Sequence, residues 1–125
     1  VLAEGLIRLG VITQNLDEAL DMKSGQLKDW YMHNTSHWIG LDVHDVGVYL
    51  PDGKPRLLES GMCLTVEPGL YFGAWRPDVV CPERYANIGI RIEDDILVTD
   101  DGPVVLTDKC PKTIDEIEHI VGNTV

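Results

Sequence analysis

Three of the chain's four histidines fall within one short stretch, HNTSHWIGLDVHD, running from His33 to Asp45. Imidazole is both a proton shuttle near neutral pH and the commonest metal ligand, so this crowding raises binding chemistry first. His33 and His37 have the spacing of two ligands on one helix face. The zinc-protease helix, however, needs a Glu directly after its first His as general base, and Asn34 stands there instead. His37 and His44 are separated by an odd number of residues, which on a regular strand sends them to opposite faces. To share a site they need a bend between them, and Gly40 is the place for it. Taken alone, neighbouring histidines are more often packing or surface groups than a ligand set.

Two carboxylates change the balance. In TVEPG, Glu67 ends an apolar strand on the face shared by Thr65 and Cys63. In GIRIEDD, Glu93 shares a face with Arg91, while Ile88, Ile90 and Ile92 take the other. A carboxylate on a core strand is costly unless it is paired or binds a metal. The plain alternatives are a solvent-exposed strand end for Glu67 and an Arg91 ion pair for Glu93. Read together, His37, Glu67 and Glu93 offer one imidazole and two carboxylates from three separate segments. Such N/O donors suit Mn, Zn, Co or Fe(II) rather than a thiolate-seeking metal. A metal held there polarises a carbonyl and acidifies a water, the chemistry of hydrolysis. His33, His44 and Arg91 would then be supporting or substrate-contacting groups.

The elements that must position these residues are legible in outline. Leu2, Leu6 and Leu9 have helical spacing, with Gly10 as a stop. Asn15 with Glu18 forms a capping-box pattern ahead of Leu16 and Leu20. Leu27, Trp30 and Tyr31 predict a further short helix leading to the histidines. After Ile39, the valines at 43, 46 and 48 read as strand-like, and Pro51 to Pro55 as a turn. Met62, Leu64 and Val66 alternate with Cys63, Thr65 and Glu67 in a strand ending at Pro68-Gly69. Asp95 to Val98, a polar turn, and Pro103 to Leu106 form a β-hairpin. Thr113 caps a last helix, IDEIEHIV. Helices, then strands, then one helix predict the α+β class.

The chain of 125 residues suits one domain. Its mean hydropathy of −0.04 fits a soluble globular protein, and no apolar run approaches the roughly 20 residues a membrane helix needs. Without such a run a membrane is not an expected partner, and the net charge of −11 repels polyphosphate, so neither is nucleic acid. Divalent cations and free amino termini are favoured instead. Three cysteines without a CxxC pair argue against a disulfide framework or a thiolate zinc site, and fit a reducing cytoplasmic compartment. Cys63 reads as a buried thiol. The opening VLAEGLIRLG reads as the middle of a helix, so a longer polypeptide is expected.

HNTSHWIGLDVHD, TVEPGLY and GIRIEDD resemble, in order and spacing, the C-terminal motifs of the Xaa-Pro aminopeptidases (aminopeptidase P), which group with prolidase and methionine aminopeptidase among the pita-bread metallopeptidases. The resemblance covers about Val1 to Thr113. It implies an antiparallel sheet flanked by helices, the C-terminal half of the pita-bread (creatinase/aminopeptidase-like) fold. By resemblance, His37 is the histidine ligand of one ion, and Glu67 a ligand of that ion and proton shuttle. Glu93 bridges two ions, His44 contacts substrate beside the scissile bond, His33 lines the pocket, and Arg91 orients acidic neighbours. The implied cofactor is a pair of divalent ions, commonly Mn2+, with Zn, Co or Fe as alternatives, sharing a metal-activated bridging water. The implied substrate is a peptide with proline in second position. The family's remaining two ligands, both aspartates, and a further histidine upstream have no counterpart here. Residues 1–125 are therefore expected to be the C-terminal part of a catalytic domain, inactive alone and homo-oligomeric in the full-length form. Asn34 stands where the family commonly carries glycine. Prolidase shares most of these motifs, and Trp38 after His37 favours the aminopeptidase. A non-catalytic pita-bread binding module is the reading from another class. Such a protein would shed ligands, yet all three that this stretch can supply are present.

Overall fold

A computed structural model describes residues 1–73 and 78–121. In chain order the elements are α1 (Leu2–Arg8), α2 (Leu16–Ala19), β1 (Cys63–Val66), β2 (Gly69–Phe72), β3 (Ile88–Arg91), β4 (Asp94–Thr99), β5 (Gly102–Val105) and α3 (Ile114–Ile120). Short antiparallel sheets with a few helices bear out the α+β class. None of the described helices is long and apolar enough to cross a membrane.

The chain divides into two compact units, and the first comprises Val1–His33 and Pro68–Arg91. Leu6 of α1 is almost wholly buried and packs in one cluster with Ile12, Ala19, Trp30 and Phe72. Gly10 ends α1 as its sequence position predicts. It sits at φ 71°, the left-handed region that glycine enters without a Cβ clash. Its N–H then donates to the Ile7 carbonyl and that of Val11 to Leu6, satisfying two carbonyls the helix leaves open. The Asn15–Glu18 capping box at α2 is complete in both directions. Leu27 belongs to a 3-10 turn, Gln26–Asp29, which Trp30 caps, rather than to an α-helix. Tyr71 N–H donates to the Trp30 carbonyl at 2.9 Å, tying β2 to the segment that leads into His33. β2 pairs antiparallel with β3, Gly69 opposite Arg91 and Phe72 opposite Ile88. All of β3 is exposed, including Ile88 and Ile90.

The second unit comprises Asn34–Glu67 and Ile92–Val125. Its sheet has the order β1-β4-β5. The β4–β5 hairpin turns through Asp100-Asp101, as the sequence predicts, with Thr99 opposite Gly102. β1 pairs antiparallel with β4, Leu64 opposite Ile96, Thr65 opposite Asp95 and Val66 opposite Asp94. On the other side of β1, residues 35–39 run as an irregular edge. Thr65 N–H donates to the His37 carbonyl, Glu67 N–H to Thr35 and Ile39 N–H to Cys63. Lys112 anchors the chain beyond β5, its ammonium reaching Asp94 at 2.9 Å and the carbonyls of Thr107 and Cys110.

Four further local readings are corrected. The single strand read through Ile88 to Glu93 is broken: β3 stops at Arg91 and β4 starts at Asp94. The apolar run before Glu67 likewise resumes as β2 after Pro68, which has no N–H to continue a ladder. The valines at 43, 46 and 48 form no strand and are exposed, because the chain there is spent on turning. Cys63 is half-buried rather than buried.

Thr113 caps α3 in a complete capping box with Glu116. The Thr113 hydroxyl, then the N–H groups of Thr113 and Lys112, hold the Glu116 carboxyl below its ordinary value of 4.5. A depressed carboxyl pKa stabilises the fold above the unfolded value, and the benefit is lost as pH falls through the folded one. Glu116→Ala is therefore expected to lower the urea midpoint at pH 7. Its difference from the unsubstituted chain should shrink below about pH 4.5. Urea titrations between pH 7 and 3 check this.

Candidate metal centre

The sheet of the second unit sets the geometry of the site. Antiparallel neighbours directly opposite each other share a face, as do residues two apart on one strand. One rung beyond the Val66–Asp94 pair stand Glu67 and Glu93. Across the other edge of β1, His37 lies opposite Thr65, one rung from the bridge between Trp38 and Leu64. The pairing therefore turns His37, Thr65, Glu67 and Glu93 to one side. Donor atoms of His37, Glu67 and Glu93 all lie within 4.8 Å of one another.

Glu67 is not an exposed strand end. It is 7% exposed, and a buried carboxylate requires partners. Thr65 Oγ1 donates to its Oε1 at 3.0 Å. His37 Nε2 lies 3.0 Å from the same oxygen. Glu93 is exposed, at the mouth of the cluster.

The donor chemistry fits a cation. His37 Nδ1 lies 2.9 Å from the Trp38 carbonyl, which can only accept, so Nδ1 carries a proton. A neutral ring then aims the lone pair of Nε2 at the Glu67 carboxylate. That contact is attractive only with a proton or a metal ion between the two. One added proton makes an imidazolium that balances one carboxylate; a divalent ion balances Glu67 and Glu93 together. The 3.0 Å spacing matches adjacent donors on one ion, since bonds of about 2.1 Å at a right angle lie about 3 Å apart. A ligating histidine that gives its other N–H to a backbone carbonyl is also the usual supporting arrangement.

His44 joins His37 by the bend expected at Gly40. Asp45 N–H donates back to the Trp38 carbonyl, and Gly40 N–H to Asp42. The Asp45 carboxylate accepts from the N–H groups of Leu41 and Val46 and braces the turn. The two imidazoles meet edge to face with centroids 4.4 Å apart. His44 is exposed and presents its ring to solvent beside the cluster. Trp38 stacks on Tyr49, whose hydroxyl accepts from the Trp38 backbone N–H.

His33 and Arg91 belong to the first unit, where they meet on one atom. Arg91 Nε donates to the Tyr71 hydroxyl at 2.9 Å, and His33 Nε2 lies 2.9 Å from that hydroxyl. Arginine can only donate, so the hydroxyl accepts from it and can pass its own proton to His33. Sequence reasoning passed over Tyr71. Its signal was a phenol on a strand just after TVEPG, in a chain with four tyrosines.

Residues 2–100 match the model of metallopeptidase family M24. The Xaa-Pro aminopeptidase of Escherichia coli strain K12 is 47% identical over 121 residues, which is 97% of this chain and 26% of that protein. The structure of E. coli aminopeptidase P with the inhibitor Pro-Leu superposes with a TM-score of 0.80 at 48% identity, over 94% of this chain and 26% of that one. The zinc-substituted E. coli aminopeptidase P in complex with product gives the same TM-score, identity and coverage. The chain thus spans about a quarter of the length of the relatives it matches.

A Cβ on Gly40 would lie 1.9 Å from Asp45 Oδ2, inside van der Waals contact. Gly40→Ala is therefore expected to push the bracing carboxylate aside and destabilise the chain by about 1–3 kcal/mol, the usual cost of overpacking. Urea denaturation checks the stability, and nuclear Overhauser contacts between the imidazoles of His37 and His44 check whether the turn has opened.

Proposed function

Because this chain belongs to metallopeptidase family M24, we propose that residues 1–125 are the C-terminal part of a catalytic domain that releases the N-terminal residue from peptides with proline in second position. The observation that carries this reading is the convergence of His37, Glu67 and Glu93 within 4.8 Å in the matched region. The names of the relatives, Xaa-Pro aminopeptidase and aminopeptidase P, supply the substrate class.

In this reading His37 and Glu67 would hold one divalent ion and Glu93 would serve a second ion as well, with the other ligands on the longer polypeptide. Hard N/O donors fit Mn2+ first, with Zn, Co or Fe as substitutes. Bound ions supply Lewis acidity that polarises the scissile carbonyl and acidifies a water. Glu67, pinned by Thr65 and His37, accepts the proton of the attacking water and returns it to the leaving amine. His44, exposed beside His37, contacts the substrate next to the scissile bond. By the family resemblance His33 and Arg91, joined through Tyr71, would be substrate-binding residues, and Arg91 would orient acidic groups. Free thiols at Cys63, Cys81 and Cys110 accord with a cytoplasmic location.

The test is hydrolysis of a short peptide with proline second by the full-length polypeptide in manganese, beside an Xaa-Pro dipeptide. Glu67→Gln is expected to lower turnover at least a thousandfold, about 4 kcal/mol in the barrier. Asp101→Ala, at the tip of the β4–β5 hairpin, should leave turnover within about threefold, or 0.7 kcal/mol. Exclusive cleavage of the dipeptide would instead assign a dipeptidase.

The 125-residue chain assayed alone is expected to be inactive, because among the described residues Glu93 is the one donor the cluster offers a second ion. Turnover near the full-length rate in excess manganese would refute this and require donors elsewhere in residues 1–125.

A further inference from the structure

We propose that Thr65 is a positioning residue whose single hydroxyl fixes both inner donors of the cluster, His37 and Glu67. The proposal rests on reading that cluster as a divalent-ion site. Thr65 is fully buried, at 0% exposure. Its Oγ1 accepts the His37 backbone N–H at 3.0 Å and donates to Glu67 Oε1 at 3.0 Å. A hydroxyl has one proton. The His37 N–H can only donate, so that proton is committed to the carboxylate. One atom thereby ties the segment that carries the imidazole to the orientation of the carboxylate.

Backbone pairing does not do this by itself. Thr65 N–H to His37 O and Glu67 N–H to Thr35 O set the strand register. Register fixes where the Glu67 Cα lies, but several side-chain torsions remain between Cα and carboxylate. The Thr65 hydroxyl is two residues away on the same face and restricts them before any ion arrives. A preset ligand loses less conformational freedom on binding, so affinity rises without a new bond to the metal. The bland alternative is that threonine stands here only as a β-branched residue that suits a strand. That alternative explains the methyl group and leaves the hydroxyl's two partners without a role.

The two accounts separate on metal affinity. In the full-length polypeptide, Mn2+ binding is measured by calorimetric titration for the unsubstituted protein, Thr65→Val, Thr65→Ser and Glu67→Ala, with circular dichroism confirming the fold of each. Valine keeps the shape and removes the hydroxyl; serine keeps the hydroxyl and removes the methyl. Thr65→Val should weaken Mn2+ binding about 10–100-fold, the usual effect of losing a group that orients a ligand. Thr65→Ser should stay within about threefold of the unsubstituted protein, or 0.7 kcal/mol. Unchanged affinity in a folded Thr65→Val, or a loss in Thr65→Ser as large as in Thr65→Val, would overturn the proposal while Glu67→Ala still loses binding. Unchanged affinity in Glu67→Ala would remove the metal site itself, and the role of Thr65 with it. If Thr65→Val does not fold, the serine variant decides: a tenfold or larger loss overturns the proposal, and retained affinity supports it.

Discussion

Burying the carboxylate of Glu67 is the constraint around which the second unit is arranged. A charge out of water must be met by donors or a cation, and in this sequence the means lie at three separate places. Thr65 brings a hydroxyl from the same strand, His37 a ring from the neighbouring edge, and Glu93, just ahead of β4, a further oxygen for a shared cation. The β1–β4 register must be correct for any of this to work. A slip of one residue would turn Glu67 and Thr65 to the opposite face from Glu93. The ladder therefore acts as the alignment device for the chemistry as well as a source of stability.

The two carboxylates of the cluster are held differently. Glu67 is enclosed, with its backbone N–H on Thr35 and its side chain on Thr65. Glu93 is exposed and lies between the end of β3 and the start of β4. Its position is secured from the next residue: Asp94 takes the Lys112 ammonium and the Thr107 hydroxyl, and Thr107 Oγ1 in turn accepts from Asp95 N–H. An enclosed donor favours fixed geometry, and an exposed one leaves room for an ion or substrate to enter. Each suits the role assigned to it.

How much of this was legible in the sequence depended on range. Gly10, the Asn15–Glu18 box, the Thr113 cap and the Asp100-Asp101 hairpin are written in a few adjacent residues, and the structure carries them as read. The bend at Gly40 was legible because the spacing of His37 and His44 demanded one. The separate strand β2 was missed because Pro68-Gly69 signals an end and gives no sign of resumption. The valines after Ile39 misled because β-branched composition was taken for pairing, while Asp45 closes a turn there through its side chain. Tyr71 and the Thr65 hydroxyl matter through partners far away in sequence, which no local pattern reveals. The convergence of His37, Glu67 and Glu93 came from chemistry, since hard donors in otherwise apolar strands need a reason to be there.

The order in which the strands appear has a consequence for the growing chain. β4 and β5 are joined by two residues and can pair within microseconds of release, as hairpins do. β1 has no such local partner. Its mate β4 lies about thirty residues downstream, and at a synthesis rate of about 5–20 residues per second the wait is roughly 1.5–6 seconds. During that interval the run from Met62 to Val66 carries an open ladder edge, the kind of surface that other chains add to. Glu67 stands directly after this run, and a charged residue flanking an unpaired apolar segment is a general guard against premature pairing.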